Sequence, residues 1–215
     1  AMSLSSLLIL ILLSSCSTTK NLPKGEVLYT GIEKIQVSNE DKTPAGKDAL
    51  AEVEAALEYP PNNALLGSSS IRVPFPFGLW MYNALVNKKG KMGQWFFRKL
   101  AAKPVLISTA NPEVRVKVAQ NLLREYGYFN GDATFEILPN KKNPKKAKIS
   151  YGITMNDPYT YDSIQYVPIR HRTDTLIRQY ASSTLLRKGE NFNVVQLEAE
   201  RQRISSLLRN YGYYY

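Results

Sequence analysis

The sequence predicts an α+β fold, and three patterns in it support that assignment. Residues 147–155 alternate between apolar and polar side chains, which is the period of a half-buried strand. Residues 111–126 carry apolar side chains at helical spacing and are followed by Gly127. The octapeptide LLREYGYF at 122–129 recurs as LLRNYGYY at 207–214, 85 residues later, with six of eight residues identical. A repeat at that period indicates tandem small domains.

The first half of the chain is predicted to hold five elements in the order strand, helix, helix, strand, strand. Their predicted bounds are 31–38, 47–58, 111–126, 133–138 and 147–155. Each helix has an apolar stripe that is expected to face the core. The two stripes are Leu50, Val53 and Leu57 on the first helix, and Val114, Val118 and Leu122 on the second. The segment PNKKNPKK between the last two strands is polar and basic, and it predicts a loop.

The strand at 31–38 is expected to pair with the strand at 147–155. The reason is burial, because the second strand has an apolar face that a two-stranded hairpin alone cannot cover. A three-stranded sheet under two helices would cover it. The alternative is that 31–108 closes as a separate domain and leaves 147–155 to pair with 161–167.

After Pro158 a similar order of elements is predicted to restart. A strand is expected at 161–167, a short helix at 174–183 and a longer helix at 194–211. Asn193 with Gln196 three residues later is a capping pattern. The core stripe of the long helix is predicted to be Leu197, Ile204, Leu208 and Tyr211. Gly127 and Gly212 are expected to end the two repeated helices with a positive φ.

The first fifteen residues predict a lipoprotein signal peptide. Eight of the ten residues at 4–13 are Leu or Ile, a run with the length of a signal-peptide core and too short to span a bilayer. It ends in LSSC, which resembles a lipobox whose thiol is acylated at Cys16. The only Cys of the chain stands where a lipobox requires it. Residues 16–28 then predict a polar tether, and an ordinary secretory signal is the alternative.

Composition excludes several function classes. One Cys and one His cannot form a Cys/His zinc site or an internal disulfide. His171 lies between Arg170 and Arg172, which disfavour the imidazolium that a general base must form. No enzymatic activity and no cofactor are therefore expected. The net charge of +10 favours anionic partners.

The stretch at 59–108 is basic and aromatic, and it is predicted to be an insertion between the first two helices. No acidic residue lies between Glu58 and Glu113, and both tryptophans of the chain are in this stretch. Its candidate membrane or partner surface is Trp80, Lys88, Lys89, Lys91, Trp95, Phe96, Phe97, Arg98 and Lys99. Aromatic rings among cations suit an anionic lipid headgroup boundary. Packing of the aromatics with solvated lysines, or stacking on single-stranded nucleic acid, are the alternatives.

The order of these motifs resembles the POTRA domains of BamA- and TamA-type outer-membrane assembly proteins. The lipobox, YTGIEKIQV at 29–37, KPVLI at 103–107 and KAKISYGITMNDPYTYDSIQY at 146–166 are most similar to the TamA-like lipoproteins called TamL. The resemblance implies tandem β-α-α-β-β units, each with two helices on a small three-stranded mixed sheet. The first unit would span 29–156 with the insertion at 59–108. The second, 157–215, would be incomplete, with barrel strands expected after Tyr215.

The resemblance further implies a periplasmic scaffold, lipid-anchored to the outer membrane. Such a module binds extended client chains by adding them as a strand to an open sheet edge. By resemblance that edge is the second strand of the unit, at Thr134, Phe135, Glu136, Ile137 and Leu138. The implied partners are outer-membrane β-barrel proteins, a TamB-like inner-membrane bridge protein and the chain's own barrel. Anionic lipid is a further candidate partner, contacted through the insertion by an adaptor bridging the two membranes, whereas the export signal argues against nucleic acid.

Overall fold

The computed structural model describes residues 18–65, 71–88, 90–166 and 171–214. It has an α+β fold, as predicted, with one three-stranded mixed sheet among the described residues. The strands are β1 (Leu28–Ser38), β2 (Asp132–Asn140) and β3 (Asn143–Thr154). The helices are α1 (Pro44–Leu57), α2 (Phe77–Leu85), α3 (Lys91–Leu100), α4 (Ile107–Ala110), α5 (Pro112–Glu125), α6 (His171–Gln179) and α7 (Val194–Asn210), with a 3₁₀ turn at Ala181–Ser183.

The sheet has the strand order β1-β3-β2, so the predicted pairing of the first strand with the third is confirmed. Contacts between β1 and β3 advance together along both strands, which makes the pair parallel. Thr30 Oγ1 donates to Ala147 O at 2.9 Å, across 117 residues of sequence. Met155 N donates to Ser38 O at 3.1 Å, at the same separation. β2 and β3 form the antiparallel hairpin, so β3 is the central strand.

β3 buries the face that its alternation predicts. Its apolar side chains on that face are almost fully buried, and they are Ala147, Ile149, Tyr151 and Ile153. The hairpin turn is much tighter than predicted, because β2 runs to Asn140 and β3 begins at Asn143. Asn140 Oδ1 accepts hydrogen bonds from the backbone N–H groups of Lys142 and Asn143 at 2.9 and 3.0 Å. This side-chain-stabilised turn replaces the predicted loop.

α1 and α5 supply the helical side of the core, but the predicted face of α5 is wrong. α1 buries Ala49, Val53 and Leu57, whereas the predicted Leu50 is only half-buried. α5 buries Val116, Ala119 and Leu123. Of its predicted stripe, Val114 and Val118 are exposed and Leu122 is half-buried.

Arg115 explains why α5 turns that other face to the core. Its Nη1 donates to the carbonyl oxygens of Ala56 and Glu58 at 2.9 and 2.7 Å, and its Nε donates to Ala110 O at 2.8 Å. The guanidinium also lies 4.8 Å from the ring centroid of Tyr59. A cation on the last carbonyls of α1 is favourable both as a hydrogen-bond donor and for the helix dipole. These bonds set the rotation of α5, which apolar spacing alone leaves open.

The described elements belong to two compact units. One contains the described residues within Ala1–Gln36, Ala55–Val116 and Thr134–Gly152, and the other contains those within Val37–Glu54, Lys117–Ala133 and Ile153–Tyr215. In the first unit, α2 and α3 form a helical hairpin. Ala102 N donates to Gly78 O at 2.9 Å, and the Tyr82 and Phe97 rings lie 5.7 Å apart.

In the second unit, the predicted strand at 161–167 is wrong for residues 161–166, and residue 167 lies outside the described residues. A short antiparallel exchange takes its place, in which Phe192 N donates to Tyr159 O at 2.8 Å and Tyr161 N donates to Glu190 O at 2.9 Å. The predicted helices are present as α6 and α7 with shifted ends. Asn193 caps α7 as predicted, because its Oδ1 accepts from Gln196 N at 3.2 Å.

The centre of α7 is a buried carboxylate rather than the predicted apolar stripe. Leu197 and Tyr211 are exposed, and Ile204 and Leu208 are only half-buried. Glu200 is 2% exposed instead. Its carboxylate accepts hydrogen bonds from five donor atoms, which are Arg203 Nε and Nη2, Tyr166 Oη, Thr184 Oγ1 and Leu185 N. Tyr166, expected in a strand, is thus held by this network.

The repeated octapeptide forms the same helix-ending motif twice. Gly127 and Gly212 have φ of 90° and 85°, as predicted. Tyr128 N donates to Leu123 O and Gly127 N to Arg124 O, at 2.8 and 3.0 Å. At the second copy, Tyr213 N donates to Leu208 O and Gly212 N to Arg209 O, at 3.0 and 2.9 Å. This is the Schellman arrangement, in which a left-handed residue lets two amides satisfy the last carbonyls.

Replacing each glycine with alanine should separate backbone strain from crowding. Both substitutions force a Cβ into the left-handed region, which costs about 1–2 kcal/mol. A Cβ at residue 127 would also lie 2.8 Å from Phe192 O, whereas one at 212 has nothing within 4 Å. Crowding adds about 1–3 kcal/mol. Urea unfolding should therefore show a larger loss for Gly127→Ala than for Gly212→Ala, and equal losses would contradict these contacts.

Removing the Glu200 charge should make the stability of the second unit less dependent on acid. The hydrogen bond from Arg203 is the main reason that the pKa of Glu200 falls from its ordinary value of 4.5 to about 2, against the opposing effect of burial. Because the pKa of Glu200 is lower in the folded state than in the unfolded state, the ionised carboxylate stabilises the fold. That contribution is complete above about pH 4.5 and is lost as the pH falls toward 2. Glu200→Gln should lose on the order of 3 kcal/mol at neutral pH.

The matched control for Glu200→Gln is Glu198→Gln on the same helix. Glu198 forms the same type of ion pair three residues apart, with Arg201, but in solvent. Exposed pairs of this kind contribute about 0–1 kcal/mol. Urea unfolding at stepped pH should show a large, acid-sensitive effect at residue 200 and a small one at 198. Similar effects at both positions would refute the role of the buried carboxylate.

Candidate peptide-binding edge

β2 is an edge strand of the sheet. Its first apolar residue, Ala133, is buried, and Ala133 O accepts a hydrogen bond from Gln120 Nε2 at 3.1 Å. Beyond that point the strand opens to solvent. Phe135 and Ile137 share a face with Ala133 by strand alternation, yet they are 38% and 41% exposed.

The candidate edge comprises the five residues named from the sequence. Thr134 and Glu136 are also exposed, and Leu138 is half-buried. Gly152 of β3 leaves room for Thr134, because a Cβ at residue 152 would lie 2.8 Å from Thr134 Oγ1. The strand is therefore backed by β3 on one side and presents exposed apolar side chains on one face.

The other edge of the sheet, β1, is covered where it begins. Leu28 forms an antiparallel bridge with Leu106. Tyr29 N donates to Val105 O at 2.8 Å, and Ile107 N donates to Val27 O at 2.9 Å. The sequence pattern KPVLI marked this segment but did not show that it lies along β1.

Asn62 holds that cover in place, and Arg72 covers the next residues of β1. Asn62 Nδ2 donates to Lys103 O, and Asn62 Oδ1 accepts from Val105 N, both at 2.7 Å. Arg72 Nη1 donates to Thr30 O at 3.4 Å, and its Cζ would lie 2.7 Å from a Cβ on Gly31. Gly31, with φ of 112°, thus leaves the space that the guanidinium occupies. The two edges of the sheet therefore differ in accessibility.

Two tyrosines of β1 and β3 are buried in the core. Tyr29 Oη donates to Tyr59 O at 3.2 Å, and the two rings meet edge to face. Burial raises the pKa of Tyr151 to about 12 and raises that of Tyr29 further. Both phenols are therefore protonated at neutral pH. Among the described residues, no group of three His, Cys, Asp or Glu side chains could hold a metal ion.

The residues predicted as a membrane or partner surface lie in the α2–α3 hairpin and its turn. Trp80 is half-buried on α2, and Phe97 is half-buried against Tyr82. The exposed members are Lys88, Lys91, Trp95, Phe96, Arg98 and Lys99. Three groups lie outside the described residues. They are Lys89, the side chain of His171, and Cys16, which is the predicted lipidation residue. Within the described ranges, none of the helices has the length and apolarity needed to cross a bilayer.

No protein-family model matches this chain, and no curated protein sequence matches it.

Asn62→Ala should uncover the start of β1. Loss of both side-chain bonds leaves Val105 N and Lys103 O without these partners, which costs about 1–3 kcal/mol locally. Hydrogen exchange should then speed up at Leu28–Thr30 and at 105–107. Asn63→Ala is the matched control, because within the described ranges the Asn63 side chain bonds to Val73 O, at 3.2 Å, and not to the segment that covers β1. Unchanged exchange at 105–107 in Asn62→Ala would show that the cover is held by other contacts.

Proposed function

We propose that this chain is a non-enzymatic, periplasmic scaffold that binds extended polypeptide along β2. The observation that carries the proposal is an edge strand with Phe135 and Ile137 exposed on one face. An exposed row of backbone N–H and C=O groups is a template for another strand. Native edges are usually short, charged or covered, and this one has only Glu136 as a charge between 134 and 138.

Strand addition at β2 explains both tolerance and selectivity for clients. Backbone hydrogen bonds supply affinity without reading sequence, and alternate side chains of the bound strand would contact Phe135 and Ile137. A client that alternates apolar and polar residues fits this face. Transmembrane β-barrel proteins consist of such strands, which makes their unfolded chains the proposed clients.

β1 is the less suitable edge for this purpose. Its first residues already pair with the segment around Leu106, and Arg72 occupies the space beside Gly31. An added strand would have to displace that segment or use only the later part of β1.

The compartment and the other partners rest on the sequence alone. The proposed lipid anchor at Cys16 and the resemblance to POTRA-containing TamA-like lipoproteins support a location on the periplasmic side of the outer membrane. The same resemblance supports a TamB-like bridge protein, and a barrel continuing the chain, as partners. Contact with anionic lipid through the α2–α3 hairpin is the second candidate role, favoured by the exposed aromatic and basic side chains of α3.

Site-specific photocrosslinking tests the proposed edge. A benzoylphenylalanine at residue 136 should crosslink to a peptide that copies an alternating barrel strand, and the same probe at residue 33 on β1 should crosslink far less. Phe135→Ser with Ile137→Ser should reduce peptide affinity roughly tenfold, the equivalent of about 1.4 kcal/mol.

The control for that double variant removes two exposed valines elsewhere, Val194→Ser with Val195→Ser at the start of α7. This control should bind the peptide as the unaltered chain does. Equal crosslinking from residues 33 and 136, or equal loss of affinity in both double variants, would refute binding at β2.

A further inference from the structure

Most apolar side chains of α3 are exposed rather than packed against the rest of the described protein. None of its ten residues is fully buried. Met92 and Trp95 are 75% and 54% exposed, and Phe96 and Leu100 are also exposed. The Trp95 and Phe96 rings pack on each other edge to face, with centroids 5.0 Å apart, at the protein surface. A strongly amphipathic helix with an open apolar face is expected to lie against another apolar phase.

The charged side chains near this apolar face indicate what kind of surface it contacts. Lys91, Arg98 and Lys99 are exposed on the same short helix, and Lys88 is exposed in the turn before it. No acidic residue occurs anywhere from residue 59 to residue 112. Aromatic and thioether side chains next to cations, without carboxylates, complement a surface that is apolar below and anionic above.

A separate set of contacts places the first described residues beside this hairpin. Asn21 N and Nδ2 donate to Asn83 Oδ1 and O at 3.3 and 2.9 Å, and Asn83 Nδ2 donates to Thr18 O at 3.3 Å. Asn83 belongs to α2. Thr18 and Asn21 therefore lie beside the hairpin that carries α3.

We propose that the α2–α3 hairpin docks on an anionic lipid bilayer, with α3 lying in the headgroup boundary. Met92, Trp95 and Phe96 enter the acyl region, and Lys91, Arg98 and Lys99 contact lipid phosphates. The inference does not depend on peptide binding at β2.

Fluorescence of Trp95 in the full chain tests the docking. Trp80→Phe leaves Trp95 as the only tryptophan and removes no hydrogen bond to a described residue, because Trp80 Nε1 is buried without a partner among them. Vesicles of phosphatidylcholine with phosphatidylglycerol should shift the emission of Trp95 to the blue. Lipids brominated near the carbonyl end of the acyl chain should quench it more than lipids brominated near the methyl end.

Binding of the whole chain to vesicles does not test this proposal, because the apolar run at 4–13 is present in every sample and can hold the chain on vesicles by itself. The quantity to measure is the quenching of Trp95. Lys91→Gln, Arg98→Gln and Lys99→Gln together should abolish the quenching. The matched control neutralises three exposed lysines at the turn between β2 and β3 and at the start of β3, with Lys141→Gln, Lys142→Gln and Lys145→Gln, and should quench normally.

Three results would overturn the proposal. Trp95 could stay unquenched on anionic vesicles to which the chain is bound. Neutral vesicles could quench it as strongly as anionic ones. A shift of Trp95 emission could appear without vesicles and grow with protein concentration, which would assign the face to a second copy of the chain. None of these results bears on crosslinking at residue 136, so the two proposals fail separately.

Discussion

The parallel pairing of β1 with β3 is the constraint on which the rest of this structure depends. The paired residues are 117 positions apart, so the chain must bring distant segments together before the sheet exists. The entropic penalty of closing a longer loop grows only slowly with its length, which is why a long connection is tolerated between the two strands. Once β1 is in place, β3 becomes central, its apolar face lies inside the core, and β2 is left at an edge.

The stretch at 59–108 makes the two edges of this sheet differ in accessibility. Its last segment returns along the start of β1, held by both ends of the Asn62 amide. The same stretch of chain carries the α2–α3 hairpin, to which the residues just after the tether's start are bound through Asn83. One segment thus covers an edge and presents a basic aromatic helix, and the free edge remains at β2. The proposed scaffold, which would bind chains at one place and lie near a membrane at another, would use this division.

Simple periodicity predicted some elements well and others poorly, for identifiable physical reasons. The alternation of β3 predicted its buried face because a central strand packs along its whole length. The two glycines of the repeat were predictable because a helix end of this form requires a left-handed residue. The buried face of α5 was not predictable, because two rows of apolar side chains run along this helix. Which row faces the core depends on the hydrogen bonds from Arg115 to the carbonyl groups at the end of α1. Glu200 was also missed. Its main donor, Arg203, is three residues away, but the donors that complete the site, Tyr166, Thr184 and Leu185, lie 15 to 34 residues away in sequence.

The central claim, that β1–β3 pairing leaves β2 as an open edge, is tested most directly by residue-resolved hydrogen exchange of the free protein. In an edge strand, alternate amides point into the sheet and out to solvent. The amides from Thr134 to Leu138 should therefore exchange in alternation, slow and fast, while Tyr29 and Ile107 are protected by the bonds that cover β1. Uniform slow exchange across Thr134–Leu138 would mean that another segment pairs with β2, and it would contradict the account.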